Sequence, residues 1–110
     1  MAESLDTLLE EMEAGQQLLS CRLTDLLDGH QDDGRLGMAY SAWVLPSAMI
    51  VLSGRDHHHE VHEDLAQACD QIEISLAKYL ESSSRSDLLK LSADWLGARA
   101  AGNRLCQLFS

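Results

Sequence analysis

Cationic side chains are scarce in this chain: 8 Lys and Arg stand against 18 Asp and Glu, for a formal net charge of −10 with histidine neutral. A surface of that sign repels phosphate backbones, so nucleic acid is not an expected partner. Proline occurs once, at Pro46, and no run of strand length alternates apolar with polar residues, which argues against a sheet. Cysteine occurs three times, at Cys21, Cys69 and Cys106, an odd number, widely spaced and with no Cys-x-x-Cys pair. Reduced, packed thiols are therefore expected in place of a disulfide framework. There is no Gly-x-Ser-x-Gly, no glycine-rich phosphate loop and no cysteine with a base beside it at a helix start, so nothing points to nucleophilic catalysis. An apolar N-terminal run that would serve as a signal peptide is missing as well, and the expected location is the cytoplasm.

What the chain does have is one long interval without charge. Between Arg35 and Arg55 lie 19 residues, LGMAYSAWVLPSAMIVLSG, holding Trp43 and the single proline. Read at helical spacing, Met38, Ala42, Leu45, Met49 and Leu52 share one side, while Ala39, Trp43, Val44, Ile50 and Val51 cover most of the others. A helix apolar all round calls for burial, and the length approaches the about 20 residues needed to cross a bilayer. Three serines, Pro46 and flanking glycines dilute the segment, and no Lys/Arg bias marks either flank, so a core helix is expected and a membrane span is not. Pro46 removes one backbone donor and crowds the carbonyl four residues back. That predicts a kink near residues 42–45 or a break into two short helices.

The other segments are amphipathic. Residues 4–28 repeat Leu5, Leu9, Met12, Leu19, Leu23 and Leu26 on one stripe; Ser4 suits the N-cap, Gly29 a left-handed C-terminal stop, and Gly15 marks a close approach to a neighbour. From Asp56, an N-cap, Val61, Leu65, Ala68, Ile72, Leu76 and Tyr79 recur at spacings of three and four. Ser84 and Asp87 resemble a capping box before a last helix over about residues 86–108. That helix carries Leu88, Leu91, Trp95, Ala98, Gly102, Leu105 and Phe109 on one side, and its small residues Ala98 and Gly102 form a flat patch expected to receive Trp43 or Met49. The reading is one all-α domain, residues 1–110, folded as a four-helix up-down bundle with a Pro-kinked, fully apolar second helix.

Chemistry concentrates in DHHHEVHED, residues 56–64. His58 and His62 are four apart, as are His59 and Glu63, and either pair could donate two ligands to a divalent metal, with His57 in reserve. Two ligands do not complete a site, and the simpler reading is a solvated polar first turn; a pH-responsive surface, with histidines crowded by Glu60, Glu63 and Asp64, is a further alternative. In size, acidity and helical content the chain is similar to bacterial secretion chaperones, immunity proteins and small anti-regulators, a likeness of bulk properties that transfers no site. The function expected is a non-catalytic, protein-binding helical module with no cofactor. Its contact residues would be Met38, Trp43, Met49 and Trp95, and its partner a basic or amphipathic segment or a second copy forming a homodimer. The alternative is a metal-binding sensor or small metalloprotein built on residues 57–62.

Overall fold

The computed structural model describes residues 4–31, 34–53 and 60–108, and among them there are four helices and no strand. They are α1 (Leu5–Leu27), α2 (Arg35–Ser53), α3 (Glu60–Ser82) and α4 (Arg85–Leu108). The class is all-α, as the periodicities predict.

Local chemistry sets the boundaries. Ser4 caps α1, its Oγ accepting from the Thr7 backbone N–H at 3.2 Å. Gly29 ends the segment in the left-handed region at φ 98°. At the start of α4 the Ser84 hydroxyl accepts from the Asp87 N–H at 3.1 Å, the forward half of the predicted capping box. The return half is altered: the Asp87 carboxylate takes the Ser82 hydroxyl, and Ser82 Oγ accepts from the Ser84 N–H at 3.1 Å. The predicted Asp56 cap lies outside the described residues.

Pro46 does not divide the second helix, which continues through it to Ser53. Its missing N–H leaves the Ala42 carbonyl without a helical donor, and that carbonyl faces α1. A Cβ placed on Gly15 would lie 2.5 Å from Ala42 O and 2.6 Å from Trp43 Cα. Only glycine lets the two backbones come so close, and its α-hydrogens suit a bared carbonyl oxygen. Ser47 turns its buried hydroxyl back to the Trp43 carbonyl at 2.7 Å.

α1 packs most extensively on α2, and α3 on α4; α2 also meets α3, and α1 meets α4. The core between them holds Met12, Trp43, Ile50, Leu65, Ile72, Leu91 and Leu105, all essentially without solvent contact, each burial contributing about 1.5–3 kcal/mol. Trp43 meets Trp95 edge to face, ring centroids 4.9 Å apart and planes at 88°. The Trp95 indole N–H also donates to Ser20 Oγ at 2.9 Å. The flat patch at Gly102 is filled from α1: a Cβ there would meet Gln16 Oε1 at 3.2 Å and Met12 Cε at 3.7 Å. Trp43 lies instead against Trp95, one turn before Ala98, and Met49 points outward. Between α3 and α4 an ion pair spans the seam, Arg104 reaching Asp64 at 3.4 Å.

Candidate functional site

The expectation that α2 is wrapped on every side is corrected by the fold. One flank is core, with Leu36, Ala39, Trp43, Pro46, Ser47 and Ile50 buried. The other is open: Met38 is 73% exposed, Leu45 64%, Met49 46% and Leu52 64%. The physical reason is geometric. When each of four helices has two principal neighbours, none is central, and every helix keeps an outward face whatever its composition. For a single chain, that leaves a charge-free apolar stripe facing water. From residue 38 to residue 52 it runs about 21 Å along the helix at 1.5 Å per residue.

Beside the stripe is an apolar depression of about 390 Å³ lined by Ala14, Gly15, Leu18, Ala42, Leu45 and Pro46, with Glu11 and Ser41 at its margin. It follows from the close α1–α2 approach at Gly15. Alanine at 14 and 42 leaves the space between Leu18 and Leu45 unfilled. On the opposite side of α2, Tyr40 faces α3, where burial and then the nearness of Glu73, Cys69 and Asp70 hold its phenol above the usual value.

The predicted contact residues therefore divide. Met38 and Met49 lie on the open stripe. Trp43, 0% exposed, and Trp95 are corrected to core residues, which no partner reaches in the folded chain. Leu45 and Leu52 belong to the site in their stead. The spacing 38, 42, 45, 49, 52 carried that signal; tryptophan drew attention by its size.

The metal alternative gains no geometry. His57, His58 and His59 lie outside the described residues. His62 is corrected from a solvated turn to the core, 4% exposed, because it shares a row with Leu65, Ile72 and Leu76. Glu63 is exposed. Among the described residues, no group of three or more His, Cys, Asp or Glu side chains is placed to hold a metal ion.

Reactive thiols are also unsupported. The three cysteines are free. Burial, then Asp70, pushes the Cys69 thiol up to about 11, and burial, then Glu13, raises that of Cys106. Both are neutral near pH 7 and hence weak nucleophiles. Cys21, exposed, departs from the expected packed thiol. The remaining polar cluster ties α3 to α4. Asp94 accepts from Lys90 at 2.8 Å, from Gln71 at 3.2 Å and from the Ser75 hydroxyl. No protein-family model, curated protein or solved structure matches the chain.

Proposed function

We propose that the chain is a non-catalytic helical module that acts by binding another polypeptide through the outer face of α2, in the manner of an adaptor, chaperone, immunity protein or anti-regulator. The observation that carries the reading is the open stripe Met38, Leu45, Met49 and Leu52, apolar and contiguous on a helix with no charge between its ends. Contiguous apolar surface of this kind marks interaction sites, and an amphipathic partner helix laid along it is the mode that suits its length. The bundle frame we infer is up-down, with α2 bent at Pro46. The strong pairing of consecutive helices supports the first feature and the Ala42 carbonyl turned to Gly15 the second.

The same helix passes a length-and-composition test for a membrane span, with mean hydropathy 1.5 over its apolar window and 33% of that window buried. The buried third includes Trp43, locked edge to face on Trp95, and the Gly15 contact. A span would forfeit both, which favours the docking reading.

A photo-reactive amino acid placed at position 45 or 49 in the native host tests this. Discrete adducts from those positions, and none from the outward-facing Gln17 of α1 or Lys78 of α3, are expected. Adducts that are alike from all four positions overturn it.

A further inference from the structure

Resting on that reading of α2 as a docking face, we infer that its occupant is an amphipathic helix whose apolar stripe is flanked by Lys or Arg, and not a second copy of this chain. The argument is the charge of the two borders. On the α1 side Glu11 lines the depression, and Glu10 stands one turn before Ala14 on the same row. On the α3 side Asp70 and Glu73, both exposed, act on Tyr40 at the flank of α2. Over these stretches neither row carries a cation: residues 7, 11, 14 and 18 are Thr, Glu, Ala and Leu, and residues 66, 70, 73 and 77 are Ala, Asp, Glu and Ala; Arg22, the next position on the α1 row, is engaged by Asp25 at 3.0 Å. The site is thus an uncharged strip between two acidic edges. The complementary ligand is apolar along its middle and basic along both sides.

A second copy fails that requirement by symmetry. A two-fold interface places the same surface on both partners. Along residues 7–18 of α1 and 66–77 of α3, whichever border of one stripe meets whichever border of the other, acid meets acid. The depression between Leu18 and Leu45 has room for one large apolar side chain, so the partner helix should seat a leucine or phenylalanine there as its anchor.

The experiment uses the full chain and two labelled peptides about four turns long, identical in their leucine stripe and flanked by Lys in one and by Glu in the other, with binding read by fluorescence anisotropy. The Lys peptide should bind, more weakly as salt rises, and the Glu peptide at least about tenfold less tightly. Leu45→Glu should abolish binding without moving the melting temperature, because that side chain is largely in solvent. Combined Glu11→Gln, Asp70→Asn and Glu73→Gln should erase the preference between peptides.

Equal binding of the two peptides overturns the inference. So does failure of both alongside a dimer in solution that Leu45→Glu dissolves. In that case a second copy holds the face, and the docking reading survives while the basic partner does not. Binding to phosphatidylcholine vesicles that Leu45→Glu abolishes, with neither peptide bound, makes the occupant lipid and overturns both. No peptide or vesicle binding, and a mass that Leu45→Glu leaves unchanged, also overturns both.

Discussion

α2 and α3 occupy equivalent places, each between two principal neighbours, yet meet water with opposite surfaces. α3 buries His62, Leu65, Ile72, Ser75 and Leu76 and turns Glu63, Asp70, Glu73 and Lys78 outward. α2 buries Trp43 and Ile50 and turns Met38, Leu45, Met49 and Leu52 outward. The difference teaches that the position of a helix fixes how much of it is buried, while its composition fixes only what is left outside. For α3 the remainder is mostly solvated charge, with Ile74 and Leu80 set singly among it. For α2 it is apolar area that stays in water until something covers it.

The sharpest way to break this contrast is to weigh the two faces of α2 against each other. Trp43→Ala removes a fully buried ring and its edge contact with Trp95. It should cost about 3–5 kcal/mol in urea unfolding. A loss below about 1 kcal/mol would mean that the inner face is not core. Second in size is Gly15→Ala. In an ordinary helix interior this change stabilises by about 1 kcal/mol. Here the new methyl would stand 2.5 Å from the Ala42 carbonyl oxygen. The sign should reverse to a loss of about 1–3 kcal/mol, and a gain would show that α1 and α2 are not in close backbone contact.

Those two residues also show how far the sequence was legible. Gly15 was readable as a contact because glycine in mid-helix is costly unless something needs the space. Four periodic segments, the Ser4 cap and the Gly29 stop were legible because each rests on chemistry local to a few residues. The rotation of α3 was less so. Val61 and His62 are about 100° apart on the helix, so a small rotation of α3 exchanges which of the two faces the core. The exposure of α2 was hidden for a different reason. Periodicity assigned Met38, Leu45, Met49 and Leu52 to one side, but with all sides apolar, no polar face declares which way is out. Only the arrangement of the other three helices decides it, and no local pattern encodes that.

The α3–α4 side offers a pH test that the uncharged α2 face cannot. Burial works to raise the Asp94 carboxyl, but bonds from Lys90, Ser75 and Gln71 outweigh it and hold the group below its ordinary 3.8. A folded-state value below the unfolded one means stability that is present above the unfolded value and lost as pH falls through the folded one. Asp94→Asn should cost about 1 kcal/mol near neutral pH. The gap between variant and parent should then close below about pH 4. A gap that persists in acid would show that the carboxylate charge is not what the three donors recognise.

The smallest expected effect is the one that isolates α2. Met38→Gln with Leu52→Gln replaces two side chains that are 73% and 64% exposed and removes no core contact. Unfolding free energy should therefore stay within about 0.5 kcal/mol of the parent, in contrast to Trp43→Ala on the same helix. The comparison must be run at two protein concentrations, because a face covered by a second copy would make stability rise with concentration in the parent and not in the variant. Equal stability at both concentrations, with parent and variant alike, leaves the stripe uncovered in the free chain and its surplus area available to a different polypeptide. A loss above about 1 kcal/mol confined to the higher concentration would instead mean that the chain covers the stripe with itself.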